Sequence, residues 1–420
     1  MRKMLLMLLA LLLALTGCAR RESAEEASVW AACDAETGLW GYVDAKGAWV
    51  LSPAYAAAED FTGGCAVAMA QSGRWGLIDR QGRFVLAAEH DMVTHVAVDL
   101  FLVRTGGMYG WYCAQTGFFS GIAWDDVLLS SITPYVAASE QGIVRFYDSR
   151  SGAPASEAGY AAQWYAPFAE GNWALDLVNE DRLLLLDAQL QPIPYPEGAW
   201  VDYPGYGGMI CFGEEDVLLG YMNARGETVI APQYIMAESF WGPYTTVVDA
   251  QERVHLIDTQ GSVLASDMVY HASDVAGNAV VSYGDHTSVL RPDGSILFTL
   301  PHTPGQLFTS IYEVGDKDLW WYAEMGEPDE MTFGVLNRKG EILVPACWEV
   351  REEELTADGR GWIVVRDPQT RQEYYVNRRG ERMLPDSYSH AAPFRGELAR
   401  VTRDGQRMLI NRRGECVRAW

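Results

Sequence analysis

Short apolar runs alternate along the chain with clusters of Gly, Asp, Asn and other polar residues. Ala66-Val67-Ala68-Met69 is followed by Ser72-Gly73-Arg74, then by Trp75-Gly76-Leu77-Ile78-Asp79, then by Gly82 and Phe84-Val85-Leu86. Apolar, β-favouring runs bounded by turn residues predict strands, and three in succession predict an antiparallel meander. The same meander is predicted at 399–417 around Asn411-Arg412-Arg413-Gly414. No stretch of 30–420 holds a long helical periodicity.

The pattern repeats. Trp40-Gly41-Tyr42-Val43-Asp44-Ala45-Lys46-Gly47 returns 35 positions later as Trp75-Gly76-Leu77-Ile78-Asp79-Arg80-Gln81-Gly82. The Asp or Asn slot recurs at Asp44, Asp79, Asp148, Asp187, Asn223, Asp258, Asn337, Asn377 and Asn411, with Cys113 and Arg291 filling it in two further copies. Successive slots lie 33 to 46 residues apart. Such a period defines a repeat architecture. Gly follows three positions after most of these residues, and the copy at Asp187 has none. The spacing predicts a type I turn closed by a left-handed residue: the Asx side chain bonds the backbone ahead of it, and Gly accepts positive φ. Gly41 and Gly76, inside strands, predict close backbone approach or a bulge. Connectors carry Pro53-Ala54-Tyr55 before Phe61, Pro232-Gln233-Tyr234 before Phe240, and Pro385 and Tyr388 before Phe394. There Pro should stop ladder pairing and the aromatics should staple the connector to the core.

On these residues the units resemble the bacterial WG repeat, a β-strand repeat with a Trp-Gly, Tyr/Ile-Asp, Gly core and a downstream Pro-x-Tyr. The resemblance covers roughly 30–420. It is strongest at Trp40, Trp75, Asn223, Asp258 and Asn337 and thinnest between 109 and 187. Two copies hold a literal Trp-Gly; Tyr109-Gly110, Leu219-Gly220 and Phe333-Gly334 are near versions. The resemblance implies binding and scaffolding, and it lends no catalytic residues.

The expected fold is all-β, a repeat protein of about eleven three-stranded meanders. A meander cannot bury both faces alone, so neighbours must pack. Propeller-like packing is favoured over an open β-solenoid. Propellers typically hold about 4–8 blades, so about eleven copies imply two propellers with a seam near 190–210, or an open array.

Arg2-Lys3 followed by the apolar run 4–15 reads as a signal peptide, too short to span a bilayer. Leu15-Thr16-Gly17-Cys18 resembles the lipobox of bacterial lipoproteins. That resemblance implies cleavage before Cys18 and acylation of its thiol. The expected domains are a signal peptide at 1–17, a lipid-anchored polar tether at 18–28 and the repeat domain at 29–420. The anchor places the protein on the extracytoplasmic face of a bacterial membrane. Two or three acyl chains suffice for stable anchoring.

Net charge is −24, and loss of 1–17 makes it −26. An acidic surface disfavours nucleic acid as a partner. Glu352-Glu353-Glu354 and 327–330 match no calcium-loop spacing. Cys33, Cys65, Cys113, Cys211, Cys347 and Cys416 form no Cys-x-x-Cys, and Cys65 and Cys416 are expected as small buried thiols. The seven His are scattered, and no His-Glu-x-x-His, Gly-x-Ser-x-Gly or phosphate loop is present. No cofactor and no metal is expected. The turn pairs Arg378-Arg379 and Arg412-Arg413 are expected to be solvated.

Departures from the repeat at 191–208, 318–331 and 351–361 are where specificity is expected, because loops vary on a fixed scaffold. They hold the candidate binding residues Tyr203, Tyr206, Trp320, Trp321 and Tyr322. Neighbours on a strand face opposite ways, so at least one of Trp320 and Trp321 should be exposed. Their double replacement by Ala should weaken binding and spare the fold. The leading expectation is a non-enzymatic envelope scaffold with a protein or glycan partner. The alternatives are an envelope glycan hydrolase and a sensor-associated module.

Overall fold

The computed structural model describes residues 29–420 except 98, 179, 181–182, 214–216, 303–305, 315, 317, 327–330 and 351–359. Cys18, the tether and both Glu-rich clusters lie outside the described residues. The protein is all-β. Strands adjacent in a sheet are adjacent in the chain, and they pair antiparallel. Among the described residues, helix is confined to the 3-10 turns Ala169–Gly171 and Tyr206–Gly208.

The described residues divide into two compact units, one of 29–167, 175–180 and 394–420, the other of 168–174 and 183–393. Residues 190–210 lie inside the second unit. In the first unit the sheet Trp30–Cys33, Trp40–Val43, Trp49–Tyr55 faces the sheet Ala57–Ala58, Ala66–Met69, Trp75–Ile78, Phe84–His90 through Tyr42, Phe61, Ala66 and Ile78. Leu77, Phe101 and Val103 join that second sheet to the next. In the second unit Tyr221, Phe240 and Ile257 fill one such interface, and Val289, Ile311 and Trp320 another. At these interfaces consecutive sheets pack face to face and do not extend one another's ladders, as propeller blades do and solenoid coils do not. The meander gains a fourth strand in most sheets. It is a short edge strand such as Ala57–Ala58 or Met236–Ala237, formed by the connector itself.

The turns follow the predicted chemistry. Asp44 Oδ1 accepts from the backbone N–H of Lys46 at 2.8 Å and of Ala48 at 2.9 Å, and Gly47 has φ +81°. The same pair of bonds recurs at Asp79, Asp187, Asn223, Asp258, Asn337, Asn377 and Asn411. Where Asp187 lacks its Gly, Leu190 takes φ +62° and is buried.

The strand glycines meet both expectations at once. Trp40 pairs with Tyr55 and Tyr42 with Leu51, so Gly41 alone opposes three residues, 52–54. Gly76, Gly220 and Gly334 oppose equivalent bulges. A methyl on Gly41 would stand 2.5 Å from Leu51 O, and one on Gly76 2.5 Å from Leu86 O. Pro53, Pro232 and Pro345 lie in these bulges, inside the third strand; they do not end it. A bulge tolerates a residue without an N–H.

The Tyr two positions before the turn Asp or Asn clasps its own connector, whether it follows a strand Gly, as Tyr42 and Tyr221 do, or Tyr374, as Tyr375 does. Tyr42, Tyr221 and Tyr375 each donate a hydroxyl to the carbonyl 17 residues ahead, of Glu59 (2.8 Å), Glu238 (2.7 Å) and Ala392 (2.7 Å). Each such bond contributes about 1 kcal/mol net.

In the first unit the opening and closing repeats meet. Trp30 Nε1 donates to Arg395 O at 2.9 Å. Trp30, Ala32 and Val43 pack on Leu398 and Leu409, and Trp420 lies edge-on to Trp40. Asp60 sits at the centre of this contact. It accepts from Ala31 N–H at 2.7 Å and from Arg400 at 2.7 Å, with Arg395 3.3 Å away. Burial alone would raise its carboxyl; Arg400, and then Arg395, hold it below the usual range.

Two smaller expectations are overturned. Cys416 is exposed, though Cys65 is buried, and all six described cysteines are free thiols. Only the second Arg of each turn pair is solvated. Arg412 lies 4.5 Å over Phe394 and donates to Gly396 O at 2.8 Å, while Arg413 and Arg379 are exposed. An aromatic face and a free carbonyl within reach outcompete water for the first guanidinium.

Candidate functional site

The connector at 235–244 in the second unit is fixed by several hydrogen bonds and a buried ring. Glu238 O accepts from Tyr221 Oη at 2.7 Å and from Thr245 Oγ1 at 3.0 Å, and Thr245 Oγ1 also reaches Ser239 O at 3.1 Å. Ser239 Oγ donates to Asp202. Phe240 is fully buried, with its ring 4.9 Å from Tyr221. With the backbone so held, the flanking side chains turn outward. Met236 is 64% exposed and Trp241 55%.

Two more elements complete the surface. Tyr206, 48% exposed, stands on its 3-10 turn with its N–H bonded to Phe240 O at 2.7 Å. Tyr270, 46% exposed, opens the strand Tyr270–Val275. On that strand His271 Nε2 lies 2.8 Å from Asp274 Oδ1, and the other carboxylate oxygen presses on Gly242, where a Cβ would collide with it. Only Gly lets the acid approach the residue beside Trp241.

Glu238 reaches solvent, yet protein surrounds it closely enough to push its carboxyl up, opposed by His271 and Thr246. Burial and then the Glu238 charge push the Tyr270 hydroxyl up. Burial and then Asp274 do the same to Tyr244, whose ring meets His271 edge-on at 6.5 Å. Three exposed rings, two carboxylates and an imidazole therefore stand on segments that meet at Phe240 and Gly242. The arrangement suits recognition by stacking and charge. Among the described residues no three of His, Cys, Asp and Glu converge to hold a metal.

Of the residues singled out in the sequence, Tyr206 belongs to this surface. Tyr203 is half-buried, stacked on Phe168 at 4.7 Å. Trp320, Trp321 and Tyr322 do not belong: they are 1%, 0% and 1% exposed. Trp320 and Tyr322 face one neighbouring sheet and Trp321 the other. Alternation holds, but both faces are covered, so neither Trp reaches a partner. Trp321 Nε1 donates to Arg378 O at 3.0 Å, and Tyr322 Oη accepts from Ala346 N at 2.9 Å.

Sequence reasoning missed Met236, Glu238, Trp241, Tyr270, His271 and Asp274. Two signals were present. After the connector Phe the repeat has Thr62 or Arg395, and only here Trp241. Asp91-Met92-Val93-Thr94-His95 also returns as Asp267-Met268-Val269-Tyr270-His271.

Residues 40–71 and 75–109 match the family model described as WG containing repeat. No curated protein sequence matches the chain. Similar solved structures include a eukaryotic initiation factor, at 11% identity over 75% of this chain and 94% of that one, with a TM-score of 0.38. BamB from Moraxella catarrhalis is similar at 12% identity over 64% of this chain and 93% of that one, with a TM-score of 0.24. Kluyveromyces lactis Hsv2 is similar at 8% identity over 68% and 98%, with a TM-score of 0.28.

Proposed function

We propose that this WG repeat-containing chain is a non-enzymatic binding and scaffold protein of a bacterial envelope. In this reading acyl chains on Cys18 anchor it, and the Tyr206, Trp241 and Tyr270 surface is its contact site. One observation carries the binding role. The repeats bury their large aromatics, Trp111, Trp173, Trp320 and Trp321 among them, whereas these three rings stand exposed on a backbone locked by hydrogen bonds. Rigid, exposed aromatics lose little freedom on binding and make effective anchors. The anchor rests on the Leu15-Thr16-Gly17-Cys18 run after an apolar segment.

Two measurements test the two halves. Metabolic labelling with a fatty-acid analogue is expected to mark the wild type and leave Cys18→Ser unmarked; equal label would remove the anchor. Crosslinking in native envelope is expected to give adducts that Tyr206→Ala with Trp241→Ala depletes at unchanged melting temperature. Undiminished adducts from the folded double variant would remove this surface from the site.

A further inference from the structure

We infer that the Tyr206, Trp241 and Tyr270 surface receives an extended cationic polypeptide segment, with Lys or Arg side chains over the rings and against Glu238 and Asp274. The inference rests on the binding-module reading and specifies its ligand.

Charge is the first argument. From Leu183 to Leu290 the chain has fourteen acids and two bases, Arg225 and Arg253. Arg253 is already paired with Asp249 at 2.7 Å, in the turn where it sits. The three stretches that build the surface, 200–210, 235–244 and 269–274, contain no Lys or Arg. Carboxylates beside exposed rings, with no Lys or Arg among the residues that carry them and only the His271 imidazole against Asp274, complement a cation from outside. The excess negative charge of the region steers it there.

The rings are the second argument. This chain repeatedly seats guanidinium on aromatic faces. In the second unit Arg338 lies 4.2 Å over Trp320 and Arg382 4.5 Å over Tyr374. Exposed Trp and Tyr faces beside acids offer an incoming Lys or Arg the same seat, with ion pairing added.

Strand position is the third. Met236–Ala237 and Tyr270–Val275 are outer strands of their sheets. An outer strand keeps one side of its backbone outside the ladder, which an extended peptide can use and a free amine or metal cation cannot.

The test is fluorescence anisotropy of a labelled eight-residue peptide of alternating Lys and Ala, titrated with the full chain in neutral detergent. Its controls are the same peptide with acetylated lysines and a neutral chitin tetrasaccharide. The cationic peptide is expected to bind, to weaken steeply with added salt, and to lose about fivefold or more in affinity with Trp241→Ala or Glu238→Gln. Glu252→Gln removes the same charge from outside the cluster and is expected to change affinity less than twofold. Circular dichroism melting confirms that each variant is folded. Equal binding of the acetylated peptide, or binding of the tetrasaccharide alone, with Trp241→Ala reducing either, would overturn the cationic ligand while sparing the binding module. A loss with Glu252→Gln as large as with Glu238→Gln would reduce the effect to a diffuse acidic field and overturn the site. Absence of binding by every probe would overturn the proposal as well.

Discussion

Asn377 and Asp79 solve the same turn with different partners. In both, Oδ1 accepts from two backbone N–H groups. What remains is an amide donor in Asn and a carboxylate oxygen in Asp. Asn223, Asn377 and Asn411 donate that amide to a Glu four residues on, at 2.8, 2.7 and 2.7 Å. Asp79 and Asp249 face an Arg there, at 2.7 Å in both turns. In these turns the fifth residue follows the first, whereas Asp44, Asp187 and Asp258 have Ala48, Gln191 and Ser262 there. Asn377→Asp should set two carboxylates against each other and lower stability by about 0.2–1 kcal/mol, with Glu381→Arg restoring it. Urea midpoints of the two single variants and the double variant measure this, and additive losses would refute the pairing. The turn was legible in the sequence because its chemistry is local. Leu190 was not, since only its burial in the second unit offsets a left-handed backbone that costs a non-Gly residue about 1–3 kcal/mol.

A strand here sits between two other sheets, and this changes what its pattern means. Alternation predicts an inside and an outside face, but Trp320 and Trp321 point to two insides. Strand positions, turns and bulges were readable from Gly, Asx and Pro. Exposure was not, because it depends on which sheets cover which face, and covering is set by distant segments. The exposed Trp241 owes its place to a connector held from 202 and 221, and no short sequence window contains that. Trp321→Ala should cost about 3–5 kcal/mol by leaving a cavity beside Trp348, whose ring lies 5.6 Å away. Trp75 is only half-buried at the edge of its cluster, so Trp75→Ala should cost less than half as much. Denaturant midpoints of the two variants check the order, and a Trp75→Ala loss equal to that of Trp321→Ala would contradict it.

Across the whole molecule, acid groups act in opposite directions on stability. Glu59 and Glu238 reach solvent, yet the protein packed around their carboxyls pushes both up, an effect that water screens and keeps small. Their ionisation disfavours the fold above those raised values, and protonation relieves it as pH falls. Asp60 is held down by Arg400 and Arg395. It contributes stability above its unfolded value of about 3.9 and loses it as pH falls through the lower folded value. Denaturation midpoints at pH 5.5 should match or exceed those at pH 7, helped by relief of a net charge of −24, and should fall below pH 4. Asp60→Asn should be less stable at pH 7 by about 1–3 kcal/mol, because two half-buried guanidinium groups lose their counter-charge, and should show a shallower acid limb. An acid limb as steep as in the wild type would assign it to other carboxylates. The contact that Asp60 organises also bears on how the chain is made. Trp30 is synthesised 365 residues before the Arg395 carbonyl it bonds. The opening repeat therefore cannot finish its core until nearly the whole polypeptide has been synthesised. A premature stop codon before Leu398 would be felt first at the opposite end, as an unsealed N-terminal sheet open to proteases.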